Sequence, residues 1–304
     1  MSKISKIWKD PRSVLRRILS RVNFSWMPDE PYLKLMYYAH LGRKLDLKNP
    51  ASCTEKIQWL KLYDRKSRYA AMVDKYEAKK VIAEAIGEEY IVPNLGIWDH
   101  PQDIDFDSLP ERFVLKATHD SGTVVVCIDK SQLNISDVKN KLSRALEQDY
   151  YYWGREWPYK NVKPRIIAEE YLEDTQTKEL RDYKWYCFQG VPKLMAIFCG
   201  RQAGATTADY FDGCFRHEDM TWGYPIAERI PEKPASFEKM KELAAKLSED
   251  VPFLRVDFYE VNGKPYVGEL TFFDGSGFDV IEPSEWDTII GDWITLPEPT
   301  GNKD

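Results

Sequence analysis

Histidine is scarce in this 304-residue chain: His40, His100, His119 and His217 leave no pair at helical HxxxH spacing, which excludes a zinc site of that kind. The five cysteines (Cys53, Cys127, Cys187, Cys199, Cys214) contain no CxxC, are odd in number and sit in a chain that is not small. A disulfide scaffold is thereby excluded, and reduced thiols in a cytoplasmic setting are expected. The sixteen glycines form neither a GxxxxGK(S/T) loop nor a GxGxxG fingerprint. No apolar run approaches the ~20 residues of a membrane span. The first 25 residues lack the apolar core of a signal peptide, so secretion is not expected. Basic charge is not in excess, with 43 Lys+Arg against 49 Asp+Glu, which argues against general nucleic-acid binding.

What is present suits one large domain or two small lobes with a real core. The first 25 residues form a separate unit, with Lys3, Lys6, Lys9, Arg12, Arg16, Arg17 and Arg21 against only Asp10. Val14, Leu15, Ile18, Leu19 and Val22 make a helical stripe in this segment. Such a helix either packs its stripe on the protein's own core or lies on an anionic membrane surface. Residues 30 to 90 read as helical, with Gly87 as a C-terminal cap. FVLKA (113–117) and VVVCI (124–128) read as a hairpin around THDSGT. Ser136 and Ser236 mark the starts of helices, and strands are expected at 166–170, 183–188, 194–198, 253–259 and 265–270. The tail after 296 is expected to fray. The fold class is α+β, in four segments: 1–28 basic and amphipathic, 29–110 helical, 111–173, and 174–304.

Four places carry candidate chemistry. In FLRVDFYEVNGKPYVGELTF, Leu254, Val256 and Phe258 alternate with Arg255 and Asp257. A two-residue Asn-Gly turn would put Asp257 and Glu269 on opposite faces. A three-residue loop, Val261-Asn262-Gly263, would put Arg255, Asp257, Val267 and Glu269 on one face, and this is the loop we expect. Two carboxylates and an arginine together suit a Mg²⁺–phosphate site. Lys116 precedes the Gly/Ser turn THDSGT, whose backbone N–H groups could cradle phosphate. IIAEEYLED reads as a buried strand ending in acids. Lys184, between Tyr183 and Trp185, needs a partner if buried.

Lysine, Gly/Ser hairpin, strand ending in Glu-Glu, strand lysine and paired carboxylates follow one another in the order found in ATP-grasp enzymes. FVLKATHDSG, GREWPYKN, PRIIAEEYLED, LRDYKWYCF and RVDFYEVNGKPYVGELTF resemble the TupA-like ATP-grasp family, as do CTEKIQWLKLYDR and VDKYEAK upstream. The likeness runs from about residue 30 to 296. It implies two α+β lobes that sandwich ATP, behind a helical N-terminal region, with 111–173 the lid subdomain and 174–304 the subdomain that holds the metal.

Carried over position by position, the resemblance implies Lys75 and Lys116 on the phosphates and His119, Ser121, Gly122 and Thr123 in a closing lid. Glu169, Glu170, Tyr171 and Leu172 would hold adenine, and Glu173 the ribose. Lys184 would reach the transferred phosphate, Arg255 would stabilise an acyl-phosphate, and Asp257, Glu269 and Thr271 would bind Mg²⁺. Thr271 stands where many ATP-grasp enzymes have asparagine, and Asp120 where family members carry the glycine of HGSG.

The implied activity is ATP-dependent carboxylate–amine ligation through an acyl-phosphate, with ATP and Mg²⁺. The family is associated with surface-polysaccharide gene clusters, which implies a uronic acid as the carboxylate. GREWPYKN is the candidate acceptor loop, with Trp153, Arg155 and Lys160 as substrate residues. The expected partners are a small-molecule or saccharide carboxylate and an amine, and, in the second of the two readings of residues 1–25, the inner face of the membrane as a peripheral contact. Two other readings stand beside this one: a glycosyltransferase using DIDFD (103–107), and a carbohydrate kinase using the same ATP site.

Overall fold

The computed structural model describes residues 11–22, 24–177, 179–201 and 204–300. Lys3, Lys6, Lys9 and Asp10 of the basic segment lie outside them. The described residues begin with helices α1 (Pro11–Leu19), α2 (Asp29–Leu41), α3 (Cys53–Tyr63), α4 (Arg68–Val73) and α5 (Glu77–Ile86). The α1 stripe divides: Leu15 and Leu19 join Tyr32, Leu33, Met36 and Tyr37 in one apolar cluster, while Ile18 and Val22 stay exposed. Ser52 and Glu55 close a reciprocal cap on α3, which fixes its start. Gly87 ends α5 with a positive φ, as expected. The 71–87 run is broken at Asp74, whose carboxylate accepts from the N–H groups of Tyr76 and Glu77, so Lys75 sits in a bend.

A four-stranded antiparallel sheet follows in the order β1 (Asn94–Trp98), β4 (Ile166–Glu170), β2 (Phe113–Ala117) and β3 (Val124–Cys127). Helix α6 (Ile135–Leu146) covers one face, with Val138 and Leu142 on Phe113, Leu115, Ile166 and Ala168. Asn134, not Ser136, caps α6 by accepting from the Asp137 N–H. Strand β1 falls inside the segment expected to be helical. The small lobe therefore starts near residue 92 and not at 111. The short helix α7 (Tyr151–Gly154) precedes β4.

The larger antiparallel sheet takes the order β11 (Lys264–Thr271), β10 (Leu254–Val261), β5 (Asp182–Phe188), β6 (Val191–Cys199), β7 (Thr207–Asp212) and β8 (His217–Glu218). Helix α8 (Phe237–Leu247) packs on the face that carries Trp185, Val256 and Phe258. Strands β9 (Thr221–Trp222) and β12 (Ile281–Glu282) pair, and helix α9 (Glu285–Trp293) returns to α3. The tail does not fray as far as Thr300, which bonds the Tyr63 carbonyl at 2.8 Å and the Arg65 N–H at 2.8 Å. No helix among the described residues is long and apolar enough to cross a membrane.

The β10–β11 turn differs from expectation. Val261 pairs with Lys264, so the loop is the two-residue Asn262-Gly263, with φ of 50° and 80°. Those values are the left-handed pair of a type I′ turn. Asp257 nonetheless faces Glu269, because a bulge at Gly268 shifts the register between Asp257 and Phe258. The bulge supplies the parity change that the longer loop was expected to supply. It also turns Val267 toward Phe258 and the core, away from Asp257.

Candidate active site

Two rows of side chains cross the large sheet on the face opposite α8. Lys184, Asp257 and Glu269 are direct cross-strand partners on β5, β10 and β11, and Tyr186, Arg255 and Thr271 form the next row. Lys184 ion-pairs with Asp257, which answers its need for a partner within the protein itself. Arg255 grips Asp257 with Nε and Nη2, both at 2.7 Å. It also bonds Asp274 and reaches Glu269 and Thr271, each at 3.2 Å. Burial alone would raise the Asp257 pKa, but Arg255 and Lys184 outweigh it and hold the carboxyl down to about 2.

The open face of the small sheet looks toward this row. Val114, Lys116, Val124 and Val126 alternate with residues that face α6, and with Tyr259 and Leu172 they line a cavity of about 420 Å³. Glu169 is clamped between Lys79 and Lys116, at 2.5 Å from each. Burial disfavours the charge on Lys116, but the Tyr259 hydroxyl and Glu169 outweigh it and raise its pKa. Burial dominates at Lys75 and Lys79 and lowers both. Lys75 donates to the carbonyls of Ala117 (3.0 Å) and Asp120, so it holds the root of the Gly/Ser loop.

The sequence-derived assignments divide at this point. Lys116, Glu169, Glu170, Tyr171 and Leu172 line the first cavity. Ser121, Arg255, Glu269 and Thr271 line a second cavity of about 380 Å³. Gly122, with φ of 110° and open space around it, and Thr123 complete the loop between them. His119 is turned away from both, its Nε2 3.2 Å from the carbonyls of Ala145 and Gln148. Asp120 is buried with its Oδ1 3.8 Å from Lys75, and it lines neither cavity. Glu173 is half-exposed, paired with Arg112 at 2.8 Å and outside the first cavity, whose wall holds Asp182, paired with Arg201 at 3.0 Å, beside Glu169 and Glu170.

The acceptor loop needs correction in two of its three residues. Arg155 adopts a left-handed conformation (φ 54°) after α7, which swings it into the N-terminal helices. There it is 1% exposed, donates to the carbonyls of Phe24 (2.7 Å) and Met27 (3.2 Å), and stacks on Tyr32. Lys160 lies over the Tyr151 ring and outside the cavity. Trp153 does line the second cavity, where its neighbours are Glu156 and Tyr159. DIDFD is a turn in which Asp105 accepts from the N–H groups of Asp107 and Ser108 while Ile104 and Phe106 are buried.

Sequence reasoning missed Lys79, Asp182, Tyr259, Glu156, Ser276 and Asp279. Lys79 was accessible from its i+4 spacing to Lys75. The others depend on contacts between distant segments.

A model of the TupA-like ATP-grasp family matches residues 55–295. The chain belongs to that family. Its two α+β lobes are the ATP-grasp fold. No curated protein matches the chain significantly. Among solved structures it is similar to a D-alanine–D-alanine ligase from Bacillus anthracis, with 17% identity and a TM-score of 0.43 over 73% of this chain and 66% of that one. It is also similar to the ATP-grasp ligase PsnB complexed with a precursor variant, Mg and ADP, with 12% identity and a TM-score of 0.38 over 75% and 60%. Phosphoribosylamine–glycine ligase from Thermotoga maritima matches with 15% identity and a TM-score of 0.37 over 67% and 48%. The chain spans less than two thirds of the length of each, and the assignment rests on the family model.

Within an ATP-grasp frame, the first cavity has the apolar walls and, in Lys116 and Arg201, the cations that suit a purine and its phosphates, with Lys79 behind Glu169. Among the described residues no three His, Cys, Asp or Glu side chains gather as a ligand set for a metal. Asp257 and Glu269, directly opposed, fit a Mg²⁺ that takes its remaining ligands from phosphate and water, as that ion prefers.

Proposed function

We propose that the protein is an ATP-dependent carboxylate–amine ligase. The carboxylate oxygen would attack the terminal phosphorus of ATP, releasing ADP. The amine nitrogen would then attack the acyl carbon, forming the C–N bond, releasing phosphate and shedding protons. One observation carries this reading: the charged row Lys184–Asp257–Glu269 with Arg255 lies between two separate cavities, one apolar and one polar. A hydrolase or a simple binder needs only the first.

Lys116 and Lys79 would bind phosphates, with Lys75 holding the loop that ends in Ser121–Thr123. The segment 170–172 would hold the purine, and Asp182 is the ribose acid in preference to Glu173. Asp257 and Glu269, with Thr271 beside them, would hold Mg²⁺, which shields phosphate charge when bound. Arg255 and Lys184 supply fixed positive charge where negative charge develops. The substrate we propose is a uronic acid of a surface polysaccharide or its precursor, from the resemblance to a family associated with such gene clusters. Ile18, Val22 and Trp26, exposed beside Arg17 and Arg21, support a peripheral membrane contact.

The test is hydroxylamine trapping. Full-length protein with Mg²⁺, ATP and a glucuronate-terminated oligosaccharide should form a hydroxamate together with ADP. Release of ADP with a phosphorylated sugar and no hydroxamate would support the kinase reading instead. Binding of a UDP-sugar with Mn²⁺, and no binding of an ATP analogue, would refute the ligase.

A further inference from the structure

The second cavity is asymmetric in charge. Its lining holds the carboxylates Glu156, Glu269 and Asp279 and one cation, Arg255. Arg255 is already engaged by Asp257, Asp274 and Glu269. Lys61, just behind the wall, is fully buried and gives its three N–H bonds to the Gly154 carbonyl (2.8 Å), the Ser276 carbonyl (2.7 Å) and the Ser276 hydroxyl (2.8 Å). Beyond Arg255, which the proposed phosphoryl transfer itself uses, no described cation in the lining is left to receive a second anion.

The carboxylates are differently placed. Glu156, 4% exposed, feels the charges of Lys61 and Arg255 but forms no ion pair with either among the described residues, which leaves acceptor capacity unused. Asp279 makes no hydrogen bond or ion pair among the described residues. It is seated against two left-handed glycines, where a Cβ on Gly275 would lie 2.1 Å and one on Gly223 3.0 Å from its Oδ2. Burial, with Asp274 nearby, raises the Asp279 pKa to about 6. A carboxylate held without a counter-charge in such a place is costly unless something arrives to pair with it. The aromatic walls Tyr150, Trp153 and Tyr159 suit a cation equally well.

Building on the ligase reading, we infer that this cavity is the amine site, that Asp279 and Glu156 hold the ammonium, and that the co-substrate is an amine without a free carboxylate. An amino alcohol or an amino-acid amide fits. A free α-amino acid would bring its own carboxylate against Glu156 and Asp279, with no further described cation in the lining to receive it.

Calorimetric titration of the full chain, with and without Mg²⁺ and AMP-PNP, tests this with two matched pairs: serinol against serine, and glycinamide against glycine. The amines are expected to bind at least tenfold tighter than the matching acids. Asp279→Asn and Glu156→Gln should each weaken amine binding about tenfold while leaving AMP-PNP affinity within twofold. Equal or tighter binding of the acids would overturn the inference, as would amine binding that neither variant changes, or no amine binding at all. If AMP-PNP fails to bind but the amines bind and respond to Asp279→Asn, the ammonium site stands and the ligase reading falls. If AMP-PNP binds and the amines do not, only the ammonium site falls.

Discussion

Replacing Asp257 with Asn keeps the side-chain volume and removes the one charge that Lys184 and Arg255 share. The carboxyl is 3% exposed and its pKa is held at about 2 against an ordinary 3.8. At about 1.4 kcal/mol per pKa unit, that difference corresponds to about 2 kcal/mol of folded-state stabilisation near neutral pH. The variant also leaves the Lys184 ammonium buried beside a neutral amide, and breaking buried pairs in this way costs about 3–5 kcal/mol. Arg255 keeps Asp274, which moderates the loss. A destabilisation of about 3 kcal/mol follows. For a chain of this length, whose unfolding entropy is about 0.6 kcal/mol per kelvin, Tm should fall by about 5 °C. The folded pKa is depressed, so the stabilisation is fully present above the ordinary carboxyl pKa and is lost as pH falls through about 2. Urea titrations of wild type and variant should therefore differ by a constant amount from pH 8 to 5, and by less at pH 3. The double variant Lys184→Met/Asp257→Asn removes the stranded ammonium and should be more stable than Asp257→Asn alone. A loss under about 1 kcal/mol, or a double variant less stable than the single, would refute the reasoning.

Arg155→Ala should cost about 2 kcal/mol in denaturant titrations, because it removes the bonds to the half-buried carbonyls of Phe24 and Met27, yet leave acceptor binding and AMP-PNP affinity unchanged. Weakened binding of the carboxylate acceptor would return Arg155 to the site. Asp279→Asn should stabilise the protein at pH 8 by about 1 kcal/mol. Its folded pKa is raised to about 6, so ionisation works against folding as pH rises through that value, and the gain should vanish at pH 4. Deleting Gly268 removes the extra residue of the bulge and still leaves Glu269 opposite Asp257, so Mg²⁺-dependent AMP-PNP binding should survive. Gly268→Ala should instead cost about 1–2 kcal/mol, since its Cβ would meet the Tyr259 ring at 2.9 Å. Thr300→Val should lower stability by about 1 kcal/mol through the loss of two hydroxyl bonds at Tyr63 and Arg65.

Local pattern was enough for much of this molecule. The alternation in FVLKA and LRVDF identified the strands and their polar faces, because side chains in a strand alternate whatever the partner strand is. The charged residues of the site were legible as types in an order, and Lys116, Glu169, Lys184, Arg255, Asp257 and Glu269 all lie in or beside the two cavities. The direction of Glu269 was also correct, although for another reason. A longer loop and a bulge change the parity of a strand identically, and alternation cannot tell where the extra residue sits. Tertiary structure alone decided the rest. Arg155 and Glu156 are neighbours in sequence, and a single left-handed residue sends one into the N-terminal helices and the other into the cavity. Asp279, Ser276 and Lys61 meet Glu156 only because α3, the 150s loop and the segment after β11 converge there. Charge compensation in that cluster is a sum over segments far apart in the chain, so no local stretch of sequence contains it.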